Sequence, residues 1–113
     1  MIVFGNLTFS SDSAMSVAEA YAHVAPTPAF MKVIGPYIRS NIEAGIATKT
    51  IYEFDDAMLD EALDYLKQRY TKFGEIPGVT ATYEEWLGVA SALKVLEETH
   101  SITESLEIIS FRI

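Results

Sequence analysis

The segment from Met31 to Asp55, MKVIGPYIRSNIEAGIATKTIYEFD, constrains this chain more than any other stretch. Two β-prone runs flank Asn41-Ile42-Glu43-Ala44-Gly45, a polar, glycine-ended turn, so they fold back on each other as a hairpin. An acidic helix start follows directly at Asp55-Asp56. A strand–helix pair precedes the hairpin and a helix–strand pair comes after it. The resulting order, β-α-β-β-α-β, places two helices on an antiparallel sheet and describes an α+β chain.

The flanking elements follow from pattern and punctuation. Ile2 to Phe9 carries apolar residues on both alternating sets, Val3, Leu7 and Phe9 with Gly5, and Ile2 and Phe4 with Asn6. Such a strand is expected to be covered on both faces. Ser10 to Ser13 supplies helix-start residues, and Ser16 with Glu19 has the spacing of a capping box. Ala18, Tyr21, Ala22 and Ala25 recur at helical spacing until Pro26-Thr27-Pro28 ends the helix. In the hairpin, Lys32, Ile34, Pro36 and Ile38 alternate with Met31, Val33, Gly35, Tyr37 and Arg39. Pro36 cannot donate to a ladder, so this strand is expected at an edge or with a bulge near Gly35-Pro36. Ile46 to Phe54 is β-branched and aromatic, a strong strand.

Asp55-Asp56 suits the positive end of the second helix, whose Leu59, Ala62, Leu63, Leu66, Tyr70 and Phe73 form one apolar face. Gly74 and Pro77-Gly78 stop it. Val79 to Leu87 resumes strand character. A short helix over about Val89 to Glu98 and a β-rich end from Leu106 to Ile113 extend the basic order.

Composition narrows the functions open to such a chain. At 113 residues it is one domain, 1–113, with neither repeat nor linker. Sixteen acids against eight scattered bases give a net charge of −8, which repels nucleic acid and anionic membrane surfaces. The chain has no cysteine, and His23 and His100 lack ligand spacing, so no metal site is expected. Phosphate-binding glycine loops and nucleophile elbows are absent, and no cofactor is expected. The sequence carries no signal peptide or membrane span, which predicts a cytoplasmic protein. Half of the residues are hydrophobic and mean hydropathy is +0.18, an apolar excess that points to a partner subunit.

The element order, the Pro-bounded entry to MKVIGPYI, the IATKTIYEFDD strand-to-helix join and the KFGEIPGV helix-to-strand join resemble the dimeric α+β barrel superfamily. The resemblance covers about Ile2 to Leu96. It implies a ferredoxin-like fold whose bare sheet face packs against that of a second copy, making the chain's principal partner itself. Members include cofactor-free monooxygenases, lactone isomerases, haem-dependent chlorite-degrading enzymes and ligand-sensing regulator domains, so the fold alone does not select a chemistry. Haem is not expected here, because the second helix has no histidine and His100 lies in a polar loop. The extra helix and strand at the C-terminal end depart from the minimal pattern.

Candidate site residues follow from strand faces. Tyr37 and Arg39 lie two apart and share one side of their strand with Met31 and Val33 under simple alternation. The next strand offers Lys49 and Glu53, or else Tyr52, according to register. The last offers Tyr83 and Glu85, or Glu84 and Trp86. The set Tyr37, Arg39, Lys49, Glu53, Tyr83 and Trp86 around an apolar cavity would orient a small organic acid or phenol. The structural alternative is a set of cross-strand ion pairs and solvated charges. His23 is the one general-base candidate by its ordinary pKa, against a plain role at a helix C-terminus. The acids from Asp55 to Asp64 read as a solvated helix face. Three functions are therefore expected in order: a small-molecule-binding homodimer, a cofactor-independent oxygenase or isomerase, and an interaction module with a filled interior.

Overall fold

A computed structural model describes residues 1–89 together with Leu93 and Leu96. Strand β1 spans Ile2–Phe9, helix α1 Ala14–His23, strands β2 and β3 Lys32–Asn41 and Gly45–Glu53, helix α2 Leu59–Gly74, and strand β4 Thr80–Trp86. The sheet order is β2-β3-β1-β4, and every neighbouring pair is antiparallel. This is an α+β fold with an open four-stranded sheet, compatible with a ferredoxin-like arrangement. Val89, Leu93 and Leu96 are helical. The rest of the expected Val89–Glu98 helix and the Leu106–Ile113 strand lie outside the described residues.

Local chemistry places each element. Asn41 Oδ1 accepts from the backbone N–H groups of Glu43 and Ala44 at 2.8 and 3.3 Å, an Asx turn that closes the hairpin. Asp55 Oδ1 accepts from Ala57 N–H at 2.9 Å and caps a 3-10 turn, Asp56–Met58, that leads into α2. The Ser16–Glu19 capping box does not form, because both residues lie inside α1. That helix is entered through a 3-10 turn, Ser11–Ser13, and the buried Ser13 instead donates its hydroxyl to Pro77 O at 2.9 Å. The bond ties the start of α1 to the loop before β4.

Both helices lie on one face of the sheet. Val3, Leu7 and Phe9 of β1 and Tyr52 of β3 meet Val17 of α1 and Ala62, Leu66, Tyr70 and Phe73 of α2 in a single buried cluster. The buried face of α2 is the one its spacing predicts. That of α1 is different: Val17 points inward with Ala14, Tyr21 and Val24 beside it, while Ala18, Ala22 and Ala25 are exposed. A branched and an aromatic side chain remove more apolar surface than alanines do, and the helix rotates accordingly.

α2 sits close to the central strand because residue 5 has no side chain. A Cβ there would collide with the hydroxyl and ring of Tyr70, and would lie 3.1 Å from the Tyr52 ring. Tyr70 cannot step aside, being buried and hydrogen-bonded to Tyr52. Gly5→Ala is expected to destabilise the fold by about 1–3 kcal/mol through overpacking. Urea unfolding followed by circular dichroism checks this; an unchanged midpoint would contradict the packing described.

Candidate functional site

The registers sort every strand residue onto one of two faces. On the side away from the helices, four rows run across β2, β3, β1 and β4. The first is Lys32, Glu53, Ile2 and Trp86, and the second Ile34, Ile51, Phe4 and Glu84. The third is Tyr37, Lys49, Asn6 and Thr82, and the fourth Arg39, Ala47, Thr8 and Thr80. Apolar side chains occupy the second row from Ile34 to Phe4, up to Glu84 at its end, and reach the first at Ile2 and Trp86. The third and fourth rows are polar, with both of their charges cationic.

A bulge produces this placement. The β2–β3 register shifts between Ile34 and Tyr37, at Gly35-Pro36 on the edge of the sheet. Gly35 has φ +100°, a left-handed conformation that glycine adopts without a side-chain penalty. The extra residue reverses the alternation beyond it. Val33 therefore faces the helix side, while Tyr37 and Arg39 join Lys32 and Ile34 on the open side. Simple alternation, which grouped Val33 with Tyr37 and Arg39, is corrected here.

Tyr37, Arg39 and Lys49 come together with Asn6, Thr8 and Ala47 around an open depression of about 400 Å³. Lys49 stands directly across from Tyr37, and its ammonium lies 5.6 Å from the Phe4 ring centroid, a cation–π distance. Phe4 in turn meets Trp86 edge-on, with ring centroids 5.8 Å apart. No carboxylate lines the depression. The single ion pair among the described residues joins the Met1 amine to Asp56 at 2.7 Å, far from this corner in the sheet. Cross-strand ion pairing therefore does not account for Arg39 and Lys49.

The other expected site residues separate. Glu53 shares the open face but stands four residues along β3 from Lys49, roughly 13 Å away. Trp86 shares it too, on the far edge strand, where its indole N–H donates to Glu84 at 3.2 Å. Tyr83 does not join them: it pairs with Gly5 on the helix side and packs against Tyr70 at 5.8 Å. His23 is exposed at the end of α1, its Nδ1 2.8 Å from the Glu19 carbonyl of its own helix. No group of three or more metal-binding side chains occurs among the described residues. No helix among them is long and apolar enough to cross a membrane.

Beneath the helices lies a second polar cluster. The hydroxyls of Tyr52 and Tyr70 are 2.9 Å apart in the core. Arg69 lies over the rings of Tyr21 and Phe73 and donates to Tyr65 Oη at 2.9 Å, and Tyr65 donates to Ala25 O at 2.8 Å. The chain of contacts fastens the end of α1 to α2. The hollow beside it, about 30 Å³, accommodates nothing larger than a water molecule. A third depression, about 480 Å³ at the hairpin turn, is walled by Ser10, Ser11 and turn residues and gathers no cationic group.

No protein-family model matches this sequence, and no curated protein matches it either. The geometry of the open face therefore carries the functional reading.

Burial drives the phenols of Tyr52 and Tyr70 upward from the ordinary value of 10.0; for Tyr70 the neighbouring Tyr52 adds to the shift, while for Tyr52 the bond to Tyr70 partly offsets it. The folded state thus prefers both phenols neutral. The stability this confers is fully present below pH 10.0 and is lost as pH rises above it toward the raised values. An alkaline titration is expected to show phenolate absorbance from these two residues only together with loss of ellipticity. Replacing both by phenylalanine should remove that coincident step; a step that persists would assign it elsewhere.

Proposed function

We propose that the open sheet face is the working surface of this chain. A second copy packs against it, as in dimeric α+β barrels with their ferredoxin-like subunits, and the space between the two sheets holds a small organic molecule. The observation that carries this reading is the apolar band of Ile2, Phe4, Ile34, Ile51 and Trp86 on the face opposite the helices, with Trp86 53% exposed. A band of this kind marks an interaction surface in a small domain.

Two further features support a second copy as its cover. Strand β2 is a ten-residue edge with Tyr37 60% and Ile38 69% exposed, on opposite faces. Long apolar edges of this kind invite pairing with another chain. The charge distribution also permits self-association. Lys32, Arg39 and Lys49 oppose Glu53 and Glu84 in the four rows, so this face is slightly positive in a chain of net charge −8. Asp60, Glu61 and Asp64, which would repel a second copy, belong to α2 on the other side of the sheet.

Binding fits this surface better than catalysis does. His23 belongs to the helix layer, on the other side of the sheet. The groups that converge on the depression are donors and cations suited to holding a ligand.

Trp86 is the sole tryptophan and reports directly on this face. Native mass spectrometry is expected to give a mass of two chains, and Trp86 emission should shift to the blue as concentration rises. Ile51→Asp, placing a charge at the centre of the band, is expected to weaken association by roughly a hundredfold or more while far-ultraviolet circular dichroism stays unchanged. A single-chain mass, with emission independent of concentration, would overturn the proposal.

A further inference from the structure

We infer that the molecule held on the open face is an amphipathic carboxylate. Its headgroup sits at the corner formed by Tyr37, Arg39 and Lys49, and its apolar body lies over Ile51 and Phe4 toward Trp86. The inference rests on the ligand-chamber reading above and specifies its ligand.

Charge is the first argument. Sixteen of the chain's residues are acidic and eight are basic, so a random neighbourhood of two cations would be expected to include a carboxylate. This corner includes none. Neither Arg39 nor Lys49 has an ion-pair partner among the described residues. Two cations on adjacent strands repel each other, and an anion between them removes that repulsion.

Donor geometry is the second. Arg39 presents a planar fork suited to two carboxylate oxygens, and Lys49 adds a point charge from the neighbouring strand. Tyr37, Asn6 and Thr8 line the same depression, and their side chains carry neutral donors.

The third is what lies beside the corner. The Lys49 ammonium rests 5.6 Å from the Phe4 ring centroid, where the polar rows meet the apolar band. A bare inorganic anion would leave that band unused. A molecule with a charged end and an aromatic or aliphatic body would cover both. At about 400 Å³ the depression falls within the range of pockets that take small organic molecules.

Dansylglycine and dansylamide share a fluorophore and differ in the carboxylate, so they serve as paired probes with the full-length chain. Wild-type protein is expected to bind dansylglycine about tenfold more tightly than dansylamide, the size of one charge-assisted contact. Arg39→Gln and Lys49→Gln should each remove most of that preference, weakening dansylglycine binding more than dansylamide binding. Lys32→Gln, a cation at the other end of the same face, should retain it. Equal binding of the two probes, a preference that survives both corner substitutions, or one lost equally with Lys32→Gln would each overturn the carboxylate assignment and leave the chamber standing. Binding of neither probe would overturn the chamber and the assignment together. Competition by inorganic phosphate as strong as by benzoate would overturn the requirement for an apolar body.

Discussion

The approach of Tyr70 to the sheet at Gly5 is the contact on which the rest of the architecture depends. It brings α2 down onto the central strand, stands Tyr70 against Tyr52 and Tyr83, and sets one face of the sheet as the inside. The hydrogen bond between the hydroxyls of Tyr52 and Tyr70 joins two polar groups inside the aromatic layer, although Arg69 Nε beside it is buried without a partner. Once that face is filled, the remaining apolar residues of β1 and β3 have only the opposite face to occupy. Ile2, Phe4 and Ile51 are there because period-two alternation leaves them no other place.

Among the described residues, α1 and α2 complete one side of the four-stranded sheet and leave the other side unfinished. The unfinished side is graded. Apolar rings and branched side chains occupy the rows around Phe4, and cations with neutral donors occupy the rows around Lys49. Binding surfaces for small molecules have this mixture, broad apolar area with a few polar groups converging at one place. Strand β2 runs along the border of this surface and is exposed on both of its faces, so whatever covers the sheet must also deal with its edge.

Much of the fold was legible in the residues. The hairpin could be read from its turn, α2 from Asp55 and its apolar spacing, and the edge position of β2 from Pro36. That Val3, Leu7 and Phe9 share a face was visible as one alternating set, while its being the helix side was not, since Ile2 and Phe4 make the other set apolar too. The orientation of α1 was not visible either, because Ala18, Ala22 and Ala25 with Tyr21 give a helical period without saying which side buries most surface, and Val17 decided it. The site was half legible. Tyr37, Arg39 and Lys49 were nominated by residue type, and the structure groups them. Tyr83 was nominated equally well and lies on the other face, since the choice between Tyr83 with Glu85 and Glu84 with Trp86 depends on pairing with β1. Nothing within β4 itself encodes that pairing.

The kink at Gly35-Pro36 also bears on how this chain should be aligned with others. It acts as a phase reversal within one strand: residues before it and residues after it obey opposite rules of in and out. An alignment that matches β2 position by position to an unkinked strand would equate Tyr37 and Arg39 with core residues and discard them as packing. Placing a one-residue gap at the kink restores the correspondence. Loss of a single residue there over evolutionary time would turn both side chains toward the helices, erasing the cationic corner while preserving every strand and helix around it.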